Sequence, residues 1–367
     1  YAQRTIHNGR RVSAATAFLR PAMQRSNLSV RTHAHATQIL LEGKRAVGVR
    51  YSRGGRGGIV TEVRARREVI LSGGTYNSPQ LLQLSGIGPA ALLKSLGILV
   101  RHDLPGVGEG LQDHYAPRSV ARVKNIATIN EQARGWRLML EALKWAATRQ
   151  GILAISPTLV YCFWHSGETA ESSDLQLTFT PASYKEGEQG KLEDEPGMTV
   201  AAWQQRPESR GYVRCRSSDP FDPPIIQTNY LAEALDRRVV VAGMRLARRL
   251  LQSAALAPYY AYEDFPGPGV QTDDEFLAAA TQRAQTTFHP GCSCRMGPAS
   301  NPLSVVDDQL RVHGLEGLRL VDASIMPRMI SANLNASTLM IADKASDLIR
   351  GKAAPEAVDM ASVAAAR

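Results

Sequence analysis

The chain has 367 residues, 44% hydrophobic and 21% charged, with a formal net charge of +9. At roughly 150 residues per domain this length predicts two domains or more around a sizeable core, and no apolar run nears the ~18 residues of a membrane span. Aromatics make up only 6% and no basic run is interleaved with them, which argues against nucleic acid as a partner.

The chain opens Tyr1-Ala2-Gln3-Arg4-Thr5-Ile6, with no initiator methionine, and reads as part of a longer polypeptide. Alternating polarity predicts strands at residues 28–32, 36–41 and 46–50, with Gly43-Lys44 turning the last two into a small antiparallel ribbon. Arg53-Gly54-Gly55-Arg56-Gly57-Gly58 reads as a loop tip with solvated arginines. The unbroken run Val69-Ile70-Leu71, stopped by Ser72-Gly73-Gly74, reads as a buried strand. A helix is expected next, with Ser78 as N-cap, Pro79 at its first position, and Gly86 and Gly88 ending it.

From about Tyr115 to Gln282 helix and strand mix without a βαβ rhythm, which predicts a separate domain with an antiparallel sheet. Within it, Val239, Ala242, Leu246 and Leu250 recur at helical spacing while Arg238, Arg245 and Arg249 lie on other faces. Leu318-Arg319-Leu320-Val321-Asp322 reads as a short strand, residues 338–350 as a helix, and residues 351–367 as a peripheral tail. No repeat of fixed period occurs.

Cys292 and Cys294 lie near His289, but a zinc site lacks a fourth ligand at usable spacing, so no metal is expected. The cysteine usage suits a reducing cytoplasm, with peripheral membrane attachment through the basic helix left open. Taken alone, a histidine beside a proline is more often a structural hydrogen-bonder than a catalyst. Asp322 and Asn335 alone would be caps or turn formers.

Three segments change that reading by occurring together. They are Gly74-Thr75-Tyr76-Asn77-Ser78-Pro79-Gln80-Leu81-Leu82-Gln83-Leu84-Ser85-Gly86-Ile87-Gly88, then Phe288-His289-Pro290-Gly291-Cys292-Ser293-Cys294-Arg295-Met296-Gly297, then Val321-Asp322-Ala323-Ser324-Ile325-Met326-Pro327 continuing through Asn333 and Asn335 to Thr338. With Leu104-Pro105-Gly106-Val107-Gly108-Glu109-Gly110-Leu111-Gln112-Asp113-His114, they resemble the glucose-methanol-choline (GMC) oxidoreductase family, and the likeness extends over nearly all of residues 1–350.

The resemblance implies an α/β (α+β) fold: an FAD-binding Rossmann-like domain, incomplete here, over residues 1–115 and 283–350, and a substrate domain with a helix-flanked antiparallel sheet over 116–282. The family's G-x-G-x-x-G fingerprint would precede Tyr1, so an N-terminal FAD-binding segment is expected as a companion chain. His289 would lie beside the flavin as catalytic residue, with Asn335 as its polar partner. Ala36, Asp322, Ala323, Asn333, Ala336 and Thr338 would line the cofactor, and the start of the last helix would direct N–H groups at the flavin's pyrimidine edge.

The implied reaction is oxidation of a small-molecule alcohol, preferably primary, to the aldehyde. An unaided hydroxyl is too weak an acid to lose its proton at neutral pH, and histidine, with a reference pKa near 6.5, is suited to take it. The flavin would accept the hydride and pass electrons to oxygen or a quinone-like carrier. Choline dehydrogenation proper, a lyase using flavin only structurally, and a non-catalytic subunit are the alternatives.

Overall fold

The computed structural model describes residues 4–168, 172–188 and 190–353, so from residue 354 onward the expected tail lies outside the described residues. Polarity alternation builds an antiparallel three-stranded sheet from β1 (Ala34–Glu42), β2 (Arg45–Arg53) and β3 (Ile59–Arg64). The Gly43-Lys44 turn joins the paired residues Glu42 and Arg45 as expected. Residues 28–32 do not form the expected strand: His33, at φ 53°, turns the chain just before the ladder begins. Nor is Arg56 merely solvated. It ion-pairs with Asp219 and Asp222 and lies over the Phe221 ring.

β4 (Val69–Leu71) delivers the chain to α1 (Gly74–Leu84), which starts five residues earlier than expected and encloses Pro79. The reason is a different cap. Asp322 accepts from the Gly74 backbone N–H at 3.0 Å and from Ser78 Oγ at 2.6 Å, tying the helix start to a turn more than 240 residues away. Pro79 cannot donate to the carbonyl four residues back, that of Thr75, and Ser293 Oγ donates to it instead at 2.6 Å. After the helix, Gly108 (φ 88°) lies so close to the Val213 carbonyl that a Cβ would sit 2.1 Å from that oxygen.

The middle of the chain forms a main antiparallel sheet beside a smaller one, in which Gly211–Arg214 pairs with Ile225–Gln227 and with Glu109–Leu111, and no βαβ crossover occurs there among the described residues. The main sheet's order is β6 (Val160–Trp164), β7 (Leu175–Thr180), β8 (Gly197–Gln204), β5 (Tyr115–Val123) and β9 (Tyr260–Phe265). Against one face packs α2 (Ala234–Leu251), through Val239, Val240, Met244, Ala247 and Leu251. That stripe is rotated from the expected one, leaving Leu250 exposed, because Gly243 lets the helix approach Leu175 and Ala202 closely. Arg248 on this helix is nearly buried and satisfied by Glu263 at 3.0 Å.

Helix α3 (Asp273–Arg283), opened by a Thr272/Glu275 capping box, runs directly into β10 (Ala284–Thr286), which pairs with β5. β11 (Leu318–Leu320) then lies parallel to β4, and α4 (Leu334–Ile349) closes the described fold. Among the described residues no helix is long and apolar enough to cross a membrane.

The Pro79 device is testable. Ser293→Ala leaves the Thr75 carbonyl without its donor in a buried site, and stability should fall by about 1–3 kcal/mol. A lowered denaturant midpoint at constant m-value is the expected reading; an unchanged midpoint would show that Ser293 does not compensate for the proline.

Candidate active site

Strand pairing brings the chemistry together. β10 runs antiparallel to β5 with Thr286 opposite Tyr115, and Gly291 bridges Gln112, so residues 284–291 lie alongside 112–117. This sets His114, just before β5, beside His289, just after β10. The Thr287 N–H donates to the His114 carbonyl at 3.0 Å, and the rings meet edge to face at 5.2 Å between centroids.

Asp113 locks the pair. Its Oδ1 accepts the backbone N–H of His114 at 2.9 Å and of His289 at 3.0 Å, while Oδ2 accepts from Tyr230 at 2.5 Å and from Thr286 Oγ1. Burial pushes the Asp113 carboxyl up, and these four donors pull against it. The same burial, together with the Asp113 charge, raises the Tyr76 phenol to about 12.

The His289 ring is held at both nitrogens. Nδ1 lies 3.0 Å from His114 Nδ1 and 2.8 Å from Thr287 Oγ1, and Nε2 lies 3.0 Å from Asn333 Nδ2. Asn333 Oδ1 accepts from Gln176 Nε2 at 3.3 Å, an orientation that turns the amide N–H toward His289. Asn333 is the residue preceding α4, yet its side chain caps nothing there because it spans Gln176 and His289.

The side chain that reaches His289 is therefore that of Asn333, placed by its sequence neighbourhood among the cofactor contacts. Asn335, expected in that role, lies exposed in the first turn of α4, as does Ala336. Thr338 commits its hydroxyl to the Leu334 carbonyl at 2.9 Å. Asp322 is buried, and besides Gly74 and Ser78 it holds the Ser324 N–H at 2.8 Å, which makes it the cap of the turn Ala323–Ile325. The Ala323 carbonyl accepts from Cys292 N–H at 3.2 Å. Ala36 is exposed on β1, opposite Tyr51.

Cys292 and Cys294 are fully buried and unbridged, and burial raises both thiols, Cys292 to about 12, so neither is a poised nucleophile. Sequence reasoning did not single out His114, Asp113, Thr287 or Gln176 as site residues. The Asp113-His114 pair ends a motif already recognised, whereas Gln176 carries no local signal because only sheet register brings it there.

Two family models, both described as GMC oxidoreductase, match residues 2–116 and 207–342. An oxygen-dependent choline dehydrogenase of Staphylococcus haemolyticus is 43% identical over 348 residues, 95% of this chain and 60% of that protein. Among solved structures, pyridoxine 4-oxidase from Mesorbium loti superposes at a TM-score of 0.80 with 26% identity, over 95% of this chain and 64% of that one. A formate oxidase of Aspergillus oryzae RIB40 does so at 0.84 with 25% identity and the same coverage. The chain belongs to the GMC oxidoreductase family and has its mixed helix-and-sheet fold. It spans about three fifths of the length of the curated relatives it matches. Both family models fall within this one chain, so the expected separate companion chain finds no support.

Burial lowers both imidazoles from 6.5 to about 4, and for His114 the neighbouring His289 adds to the effect while the Gln205 carbonyl opposes it. A group whose folded pKa is depressed binds fewer protons than the unfolded chain between the two values, so stability is full above pH ~6.5 and falls toward pH ~4. For the buried His114 the loss is on the order of 3 kcal/mol. Unfolding midpoints measured across this window should drop with falling pH, and the drop should shrink in His114→Asn. An acid limb of the same depth in that variant would assign the loss to other groups.

Proposed function

We propose that this chain supplies the catalytic side chains and part of the cofactor frame of an FAD-dependent oxidoreductase that converts an alcohol, preferably primary, to the aldehyde. The observation that carries the reading is His289, neutral and held at Nδ1, with Nε2 3.0 Å from the Asn333 amide. A substrate hydroxyl entering between these groups meets a lone pair that accepts its proton and an amide that holds its oxygen as charge develops.

The residues present fit a flavin. Because Asn333 does not cap α4, the exposed first turn at Asn335 and Ala336 offers unshared backbone N–H groups at the positive end of a sixteen-residue helix, suited to the pyrimidine edge. Ala36, exposed on β1, and the Asp322-Ala323 turn would hold the rest of the cofactor. When bound, FAD supplies the hydride acceptor that no side chain can. Residues 1–115 with 283–350 would form its domain, a division supported by the β4–β11 pairing, and residues 116–282 the substrate domain.

Choline is the substrate favoured by the printed name of the 43% identical relative, and oxygen the acceptor.

Anaerobic stopped-flow flavin reduction, normalised to bound flavin, tests the roles. His289→Ala should slow reduction by roughly 10²- to 10⁴-fold with flavin retained. Asn333→Ala should cost roughly 5- to 100-fold, and more than Asn335→Ala. Wild-type-like reduction in His289→Ala at every pH would remove it from the chemistry; a larger loss at Asn335 would return the partner role to that residue.

A further inference from the structure

His289 can act as a base toward substrate only if its ring proton sits on Nδ1, away from the site. Thr287 cannot impose this. Its hydroxyl donates to the His114 carbonyl at 3.3 Å but can equally turn its hydrogen toward Nδ1, since a hydroxyl both donates and accepts. The Asn333 amide, which donates to Nε2, is itself held, among the described residues, by the 3.3 Å contact with Gln176.

The second histidine is different. His114 is completely buried, and its Nε2 lies 2.8 Å from the Gln205 carbonyl, which can only accept. In a neutral ring that commits the single proton to Nε2 and leaves Nδ1 as an acceptor alone. The side chain at hydrogen-bond distance from that nitrogen is His289, whose Nδ1 lies 3.0 Å away with the rings 87° apart, while the Ile330 carbonyl adds a weaker backbone interaction with the His114 ring. We infer that His114 is a positioning residue that fixes His289 as its Nδ1–H tautomer, reading the direction from the Gln205 carbonyl and passing it across the pair, with Asp113 holding both backbones in register.

The titratable groups around the pair are Asp113, Tyr230 and Tyr76. Asp113 meets the histidines through their backbone N–H groups, so its charge does not choose between ring nitrogens. Protonating His114 would put a hydrogen on its Nδ1 and remove the acceptor. Burial, which holds this imidazole at about 4, keeps the device set through the neutral range.

The tautomer assignment does not depend on the proposed reaction; only its catalytic consequence rests on that reading. The test uses full-length holoenzyme labelled with ¹⁵N-histidine. The His289 cross-peaks should show a protonated Nδ1 and an unprotonated Nε2. His114→Gln keeps an N–H near the Gln205 carbonyl but loses the acceptor toward His289, whereas His114→Asn keeps an oxygen near the Nδ1 position. H114Q should therefore mix the His289 tautomers and slow flavin reduction by roughly 5- to 30-fold, and H114N should recover most of both.

Three results would overturn the inference. They are Nε2-protonated His289 in the wild type, an unchanged tautomer in H114Q, and parallel loss of rate, flavin content and melting temperature in both variants. The wild-type spectrum decides even where a variant does not fold. If the tautomer responds as expected while His289→Ala still reduces flavin normally, the positioning holds and the proposed reaction fails.

Discussion

The carboxylate of Asp113 accepts two backbone N–H groups from segments 175 residues apart, and the site's geometry rests on that junction. Strand pairing between β5 and β10 brings the segments alongside, but β10 ends at Thr286, three residues short of His289. Asp113 extends the pairing by one further contact, at the point where the chain leaves the ladder. Its other oxygen takes Tyr230 and Thr286 Oγ1, so a buried charge is saturated by donors and not by a cation. Such a carboxylate favours one arrangement strongly, because every alternative strands a buried acceptor.

That firmness is needed, since the backbone around the site is not relaxed. Phe288, Cys292 and Ala332, none of them glycine, have φ of 60°, 71° and 65°. Each such conformation costs roughly 1–2 kcal/mol and persists only where neighbours dictate it. Thr286 Oγ1 accepts the Phe288 N–H at 2.9 Å, and the Ala323 carbonyl accepts that of Cys292 at 3.2 Å. Next to Ala332, Ser331 Oγ accepts from Arg206 at 2.7 Å. The sharp reversals aim His289 and Asn333 at one another from opposite sides.

Local chemistry was legible in the sequence where it is decided locally. The Gly43-Lys44 turn, the stop after Leu71 and the absence of a βαβ rhythm in the middle all follow from short-range pattern, and the family was legible from three motifs occurring together, at residues 74–88, 288–297 and 321–338. What could not be read depends on partners distant in sequence. Ser78-Pro79 has the composition of a helix start, yet Asp322 holds a start five residues earlier, and Ser293 repairs the bond that proline breaks. Likewise, which of Asn333 and Asn335 contacts His289 is invisible in a stretch carrying both. The contact of Asn333 is supported by Gln176, whose place on the facing sheet comes from its register with Trp203.

The arrangement gives His289 direction and not basicity. A carboxylate against the far ring nitrogen would stabilise the imidazolium and raise its pKa; here that position is filled by a neutral imidazole, and Asp113 reaches only the backbone. With its pKa held at about 4, His289 is neutral across the physiological range and never needs to lose a proton before it can accept one. For the alcohol oxidation proposed above, the cost would be a weak thermodynamic pull on the substrate hydroxyl. On that reading, proton removal and departure of the hydride from carbon would be best matched if the charge on oxygen never fully developed, which would place the demand on alignment of hydroxyl, Nε2 and the Asn333 amide. A fixed tautomer and a strained, doubly anchored backbone supply that alignment.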